Sequence, residues 1–149
     1  MSMIPTESEL EFLLLDYLQS EGWSLCYGPD IAPGEPGAER TDYRDPVVQG
    51  RLRSAVARLN PDLSVESVDD VVKVALRAES QSVMAENWRA YELLTLGVPV
   101  QIRTADGSIR DIRVRLIDWE DWSNNDLLAV NQFTIVGKSE RRPDRKSVV

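Results

Sequence analysis

The chain has 149 residues, of which 42% are hydrophobic and 28% are charged, and its formal net charge is −8. This balance is too apolar for a disordered chain and fits one soluble domain. It contains no histidine and one cysteine, Cys26, which excludes a zinc site, a histidine general base and an internal disulfide.

These exclusions leave oxygen as the ligand for any metal, which favours Mg²⁺ or a similar hard cation. The net negative charge argues against non-specific binding of nucleic acid by the surface as a whole. No apolar run approaches the ~18 to 20 residues of a membrane helix, and the first ten residues are acidic where a signal peptide is basic. We therefore expect a cytoplasmic protein without a membrane segment.

The first predicted element is a helix over about residues 7 to 20. Thr6 and Glu9 have the spacing of a capping box, and Gly22 supplies the stop signal. Its acidic first turn suits the positive end of the helix macrodipole and needs no chemical role. The apolar residues at helical spacing are Leu10, Leu13, Leu14, Tyr17 and Leu18.

A long segment rich in glycine and proline follows, from residue 23 to residue 45. Its breakers permit neither a helix nor a regular strand for most of its length. Loops of this length inside a compact domain are often functional or mobile, and the alternative is a plain surface excursion. The breakers are Gly28, Pro29, Pro33, Gly34, Pro36 and Gly37.

Three more helices are predicted after this segment. Asp45-Pro46 is typical of a helix start, and the apolar stripe that follows it ends at Asn60-Pro61. Ser64 is the expected cap of a valine-rich third helix. The fourth covers about residues 86 to 96 and closes on Gly97. Its residues expected to face the core are Trp88, Tyr91, Leu94 and Leu96.

Beyond Gly97 the pattern changes from helical to β. Apolar and polar residues alternate from Val98, Asp106-Gly107 predicts a hairpin turn, and the return strand carries one break in alternation that suggests a bulge near Asp111. A third strand is predicted from residue 127 to residue 136.

The predicted fold is therefore α+β, in a single domain of residues 1 to 149. About four helices lie in residues 6 to 96, and an antiparallel β-meander lies in residues 98 to 149. Trp119 and Trp122 lie between the second and third predicted strands. They are candidate contact residues for a partner protein, and the alternative is that they cover the core at a strand end.

The segment after the third strand is basic. Lys138, Arg141, Arg142, Arg145 and Lys146 outnumber Glu140 and Asp144 there. A phosphate group would be attracted to this part of the chain. The alternative is a solvated basic tail.

Short motifs follow one another in a distinctive order along essentially the whole chain. They are Thr6-Glu7-Ser8-Glu9-Leu10-Glu11, Gly22-Trp23, Glu39-Arg40, Leu59-Asn60-Pro61, Asn87, Leu96-Gly97-Val98, Leu116-Ile117-Asp118, Asn124-Asn125, Val130-Asn131-Gln132-Phe133 and Arg142-Pro143-Asp144. In this order they resemble the N-terminal domain of the restriction (R) subunit of type I restriction-modification enzymes.

The resemblance implies the front part of a PD-(D/E)xK nuclease fold, in which a sheet flanked by helices presents acidic residues to Mg²⁺ beside DNA. Asp144 would be the catalytic metal ligand, and Glu11, or in second place Glu7, would be the acid on the first helix. The implied partners are DNA and the methyltransferase and specificity subunits of a type I complex. The candidate DNA-binding residues are Arg141, Arg142 and Lys146.

The chain also departs from the family pattern. A Glu-x-Lys motif should follow the Pro-Asp pair, yet none occurs in residues 145 to 149. We therefore expect a truncated or domain-only R subunit, part of a Mg²⁺-dependent endonuclease but inactive alone. The alternatives are a non-catalytic module that docks onto restriction-modification partners and a stable domain of helices and a sheet with no site of its own. Gly137-Lys138-Ser139 lacks the upstream glycine of a phosphate loop, so no ATP site is expected.

Overall fold

The structure, a computed structural model, describes residues 6–104 and 106–137. This part of the chain has the predicted α+β composition with four α-helices. The elements are α1 (Glu7–Ser20), β1 (Ser24–Tyr27), α2 (Gln49–Leu59), α3 (Val65–Leu76), α4 (Val83–Leu96), β2 (Val98–Arg103), β3 (Ile109–Val114) and β4 (Leu128–Asn131). None of these helices is long and apolar enough to cross a membrane.

The chain divides into two compact units. Among the described residues, the first consists of 6–48 and 126–137, and the second of 49–104 and 106–125. The single domain expected from the sequence stays a prediction.

In the first unit, α1 has the bounds that its capping signals predict. The Thr6 hydroxyl accepts a hydrogen bond from the Glu9 backbone N–H at 3.3 Å, and the Glu9 carboxylate accepts one from the Thr6 N–H at 2.6 Å. The helix ends at Ser20, just before Gly22 adopts a φ of +90°. The predicted capping box is therefore confirmed.

The only described strands of the first unit, β1 and β4, pair in parallel. Ser24 lies opposite Leu128, and Tyr27 lies opposite Asn131. The sequence pattern predicts instead that β4 joins the antiparallel meander and extends to residue 136, and this prediction is wrong. The strand ends at Asn131 because Gln132 adopts a left-handed backbone conformation with φ of +55°, which breaks the extended geometry of a strand.

A small apolar cluster fills the first unit. Its buried members are Ile31, Val130 and Phe133, and Cys26, Val48, Leu128 and Ile135 pack against them. Ile31 comes from a 3₁₀ turn, Gly28–Ile31, that directly follows β1. The breaker-rich segment therefore contributes both a strand and part of the core, which differs from a plain surface excursion, one of the two alternatives that the sequence leaves open.

The second unit begins with α2, which starts later than predicted. Its first residue is Gln49, and Asp45-Pro46 lies outside the helix, in a turn where the Asp45 N–H donates to the Asp42 carbonyl at 3.1 Å. The cap of α3 is confirmed, since the Ser64 hydroxyl accepts from the Ser67 N–H at 3.1 Å. The fourth helix begins at Val83 rather than near residue 86, with Ser82 as its cap.

Helices α2, α3 and α4 and the hairpin share one apolar core. Its buried residues are Val56, Val68, Val71, Val72, Leu93, Val98 and Val114. On α4 the predicted core face is wrong, because Leu93 is buried while Trp88, Tyr91, Leu94 and Leu96 are exposed. Glu86 and Arg89 lie on the same side of the helix as Leu93, and Arg89 donates a hydrogen bond to the Val74 carbonyl.

Strands β2 and β3 form the predicted antiparallel hairpin. The register is continuous from Val98 opposite Val114 to Arg103 opposite Ile109, with Gln101 opposite Asp111. The expected bulge near Asp111 is therefore wrong. The break in alternation has another cause, since Ile109 is an exposed apolar residue at the start of the strand.

A polar network orders the loop that follows the hairpin. The buried Asp118 carboxylate accepts hydrogen bonds from the Asn124 side-chain amide and from the backbone N–H groups of Asp121 and Glu120, each at 3.0 Å. Asn125 bonds both the N–H and the carbonyl of Asp118. These donors, with the Asn124 amide first, hold the pKa of Asp118 below its usual value.

This network predicts an acid-sensitive contribution to stability. Because the folded-state pKa of Asp118 is lowered, the charged carboxylate stabilises the fold above the ordinary pKa of 3.8, and this contribution is lost as the pH falls through the lowered value. Urea unfolding of the wild type and Asp118→Asn between pH 7 and pH 2 measures it. The free-energy difference between them is expected to be largest above pH 4 and to shrink toward pH 2. A difference that did not change with pH would contradict this assignment.

Candidate functional site

The carboxylate of Glu11 is held against the end of β4. Its Oε1 accepts hydrogen bonds from the Asn131 Nδ2 at 3.0 Å and the Gln132 Nε2 at 2.9 Å, and its Oε2 accepts from the same Gln132 nitrogen at 3.2 Å. Glu11 and both amides are partly buried. Amide donors such as these orient a carboxylate, and carboxylate oxygens are the ligands that a hard cation prefers.

Local backbone geometry brings these groups together. Gln132 follows the last residue of β4 with φ of +55°, and its carbonyl faces Gly28 at the start of the 3₁₀ turn. A Cβ atom at Gly28 would lie 2.6 Å from the Gln132 oxygen and 2.8 Å from the Asn131 oxygen. Glycine is therefore required at position 28, because a larger residue would displace the backbone that carries both amides.

A buried arginine fixes the chain on the other side of Gln132. The Arg40 guanidinium lies 3.8 Å from the ring centre of Phe133, and its two terminal nitrogens donate to the carbonyls of Asp45 at 2.9 Å and Thr134 at 3.1 Å. The residue is 5% exposed. Burial lowers the pKa of Arg40, although its ordinary value is so high that the side chain stays charged.

A further backbone bond joins the same two segments. The Val136 N–H donates to the Tyr43 carbonyl at 3.0 Å. The stretch from Phe133 to Val136 is thus attached to the loop of residues 40–45 by a ring contact, a side-chain hydrogen bond and a backbone hydrogen bond. In the sequence this stretch directly precedes the basic segment that begins at Lys138.

The structure places only part of the predicted site. Glu11 lies in the amide cluster, whereas Glu7 is exposed on the first turn of α1. The predicted metal ligand and DNA-binding residues lie outside the described residues, so their roles stay predictions; these are Asp144, Arg141, Arg142 and Lys146. Within residues 6–104 and 106–137, no three Asp, Glu or Cys side chains group closely enough to hold a metal ion.

Sequence reasoning assigned no role to three residues of this arrangement. Asn131, Gln132 and Arg40 stood in the motifs that carried the resemblance, but nothing in those motifs said what the side chains contact. One indication of their roles in the sequence is the pair of amide side chains directly after an apolar strand. Another is the position of Arg40 at the end of the breaker-rich segment, which folds into the first unit.

Comparison with known proteins identifies the family. The sequence profile described as "Type I restriction enzyme R protein N terminus" matches residues 4–145. The type I restriction enzyme HindI endonuclease subunit of Haemophilus influenzae is 39% identical over 140 residues, which is 93% of this chain and 13% of that protein.

A second relative comes from Methanocaldococcus jannaschii. It carries the provisional name type I restriction enzyme MjaIXP endonuclease subunit and is 29% identical over 139 residues, or 91% of this chain and 13% of the relative. No solved structure matches the chain significantly. The chain spans about an eighth of the length of these relatives. With a family profile that covers almost all of its residues, it belongs to the family of type I restriction enzyme R protein N-terminal regions.

Proposed function

We propose that this chain is the N-terminal nuclease region of a type I restriction R subunit and forms part of a Mg²⁺-dependent DNA endonuclease. The match to the R-protein family over residues 4–145 supports this most strongly. The oriented Glu11 carboxylate adds support, because the resemblance assigned the first-helix acid to that residue and the structure gives it three amide hydrogen-bond contacts at the end of β4.

In the proposed site, the carboxylates of Asp144 and Glu11 hold the metal. When bound, Mg²⁺ supplies Lewis-acid chemistry that lowers the pKa of a coordinated water and stabilises charge on the scissile phosphate. In this proposal, the residues of this chain orient the Glu11 carboxylate and bind the DNA. Asn131 and Gln132 fix Glu11, and the cationic side chains of Arg141, Arg142 and Lys146 pair with DNA phosphates.

We further propose that the chain is inactive by itself. Its 149 residues contain no Glu-x-Lys motif after Asp144 and no phosphate loop for ATP. From the family resemblance, we expect other parts of an R subunit to supply both. The proposed partners are DNA and the methyltransferase and specificity subunits of a type I complex. The proposed place of action is the cytoplasm.

Plasmid cleavage tests this proposal in two preparations. The chain alone with Mg²⁺ is expected to leave the plasmid intact. An endonuclease subunit that carries this region, assembled with methyltransferase and specificity subunits, is expected to cleave it. In that assembly Asp144→Ala should reduce cleavage at least about 100-fold, because it removes a carboxylate ligand of the metal.

The matched control is Asp62→Ala, which removes an exposed aspartate from the second unit and should leave cleavage unchanged. Equal cleavage by the wild type and Asp144→Ala would overturn the assignment of Asp144. Robust cleavage by the chain alone would overturn the proposal that it is inactive by itself.

One observation favours the alternative of a docking module. Trp119 and Trp122 are each 50% exposed, and their rings meet edge to face with centres 5.3 Å apart. Trp119 is fixed by a hydrogen bond from its indole N–H to the Leu94 carbonyl at 2.8 Å. Exposed, ordered tryptophans are frequent anchors in protein interfaces.

A pull-down with methyltransferase subunits tests the docking alternative. If the tryptophans are the contact surface, Trp122→Ala should abolish capture while Val65→Ala, which truncates an exposed apolar residue on α3, should not. Capture that survives Trp122→Ala would rule out this surface.

A further inference from the structure

The hairpin of β2 and β3 is a basic surface on an acidic chain. Residues 98–115 carry four arginines and two aspartates, whereas the whole chain has a net charge of −8. An anionic partner is therefore attracted to the hairpin although the chain as a whole repels it. The arginines are Arg103, Arg110, Arg113 and Arg115, and all four are exposed.

The three arginines that lie within the strands form no ion pair with any carboxylate in the described part of the chain. Other exposed basic side chains of the second unit do have such partners. Arg53 pairs with Asp69 at 2.6 Å, and Lys73 pairs with Asp70 at 3.0 Å. The charge of the hairpin is thus not offset in the way that the charge of these helices is.

The two aspartates of the hairpin bond neutral groups. Asp106 accepts hydrogen bonds from hydroxyl groups of its own turn, and Asp111 accepts one from the Gln101 Nε2 at 3.0 Å. Arg113 donates to the Gly97 carbonyl at 3.3 Å, which leaves its other N–H donors available for a partner.

The strand register places Arg103 and Arg113 on the same face of the hairpin, which we name the arginine face. Residues directly opposite each other share a face, and Arg103 lies opposite Ile109, four residues before Arg113 on β3. The other side of the hairpin joins the hydrophobic core. Every residue of the arginine face is exposed, and besides the two arginines they are Pro99, Gln101, Ile109 and Asp111.

The spacing of the two arginines fits the width of a DNA groove. A strand rises about 3.4 Å per residue, so their Cα atoms lie roughly 14 Å apart, close to the ~12 Å width of the major groove. When the arginine face lies across this groove, each guanidinium reaches a phosphate on one side of it, and Asp111 lies over the groove between them. The middle of the hairpin also lines an open depression of about 410 Å³, formed by residues 99–101 and 111–113.

We infer that the arginine face binds the phosphate backbone of duplex DNA, with Arg103 and Arg113 paired to phosphates on the two sides of one groove. The inference rests on the proposed function, in which DNA is a partner, and it adds a contact in the second unit to the one proposed at residues 141–146. Guanidinium groups pair with phosphate through two parallel hydrogen bonds. A uniformly acidic protein surface fits less well, because its carboxylates would meet Asp111 in the middle of the face.

Binding of a short fluorescein-labelled DNA duplex by the chain, measured by fluorescence anisotropy at low salt with EDTA, tests the inference without metal or cleavage. Replacing Arg103→Gln and Arg113→Gln together should raise the Kd about 10-fold. The slope of log Kd against log salt should fall by about 2, or about one per lost phosphate contact. Arg103→Lys with Arg113→Lys keeps both charges and should keep most of that slope. Because both side chains are exposed, all these variants should keep the wild-type thermal unfolding midpoint.

The matched control replaces Lys73→Gln and Arg77→Gln together. Both residues are exposed in the same unit and lie beside a carboxylate, Lys73 at 3.0 Å from Asp70 and Arg77 at 4.0 Å from Glu79. The control removes as much positive charge as the hairpin pair and should leave the Kd close to the wild-type value. If both pairs of substitutions weaken binding equally, the effect is one of net charge, and the inference is overturned.

Two further results would overturn the inference. One is a wild-type chain that binds no DNA at low salt. The other is a hairpin variant, Arg103→Gln with Arg113→Gln, that loses capture of methyltransferase subunits while its DNA affinity is unchanged, which would make this face a protein contact. The inference alone fails if Arg141→Gln with Arg142→Gln weakens DNA binding and the hairpin variant does not. The proposed function fails separately, through equal cleavage by the wild type and Asp144→Ala in the assembled enzyme.

Discussion

Replacing Gly97 with alanine is expected to destabilise the fold by about 3 kcal/mol or more in the free energy of unfolding. Gly97 joins α4 to β2 with φ of +84° and ψ of 166°, a region that is essentially restricted to glycine. A Cβ atom there would lie 2.7 Å from the Val114 carbonyl oxygen, which belongs to the backbone of β3 and has little freedom to move. Backbone strain and a steric clash therefore both lower the free energy of unfolding of this variant.

Two other glycines provide matched controls for the two causes. Gly107 has φ of +82°, but no atom lies within 4 Å of the position that an alanine methyl group would take, so Gly107→Ala measures the strain alone and is expected to cost about 1 kcal/mol. Gly50 lies in α2 with open space around it, so Gly50→Ala should stabilise by about 0.5 to 1 kcal/mol. Urea unfolding followed by circular dichroism measures all three. Equal stability of Gly97→Ala and Gly107→Ala would show that the clash with Val114 is absent.

The sequence predicts best those elements whose signals are local. The bounds of α1 follow from Thr6 and Glu9, which bond each other across one helical turn, and the start of α3 follows from Ser64. The hairpin is equally local, since Asp106-Gly107 and the alternating apolar residues lie within a few positions of one another. Each of these elements is stabilised by contacts between residues that lie close together in the sequence.

The missed elements depend on distant partners. Strand β1 has only four residues and lies in a breaker-rich segment, and it exists because β4 pairs with it from the far end of the described chain. The inward face of α4 was misassigned because Glu86 and Arg89 accompany Leu93 on that face. Their charges are satisfied by each other and by the Val74 carbonyl, and this partner comes from α3.

In the candidate site, too, the features that depend on distant residues are the ones that the sequence does not predict. The resemblance pointed to Glu11, but the left-handed conformation of Gln132 is set by Gly28 on one side and by Phe133 on the other, so no local pattern reveals it. The burial of Arg40 was equally hidden, because arginine is rarely buried unless its charge is paired or otherwise stabilised.

Replacing Arg40 with lysine is expected to cost about 3 kcal/mol in the free energy of unfolding, although the charge is kept. Lysine lacks the planar guanidinium that stacks 3.8 Å from Phe133 and cannot reproduce the paired donors to the Asp45 and Thr134 carbonyls. Those carbonyls would lose charge-assisted hydrogen bonds in a partly buried setting. The ammonium group, more strongly hydrated than guanidinium, would also carry a larger desolvation cost.

The same substitution at Arg44 is the matched control. Arg44 is exposed and pairs with Asp42 on the surface, so Arg44→Lys should leave the unfolding midpoint nearly unchanged. The side-chain amide signal of Gln132 in a two-dimensional NMR spectrum gives a second measurement. It should shift in Arg40→Lys and not in Arg44→Lys, because Arg40 fixes the backbone next to Gln132. If the two variants unfold at the same urea concentration and leave that signal in place, Arg40 does not hold the segment after β4.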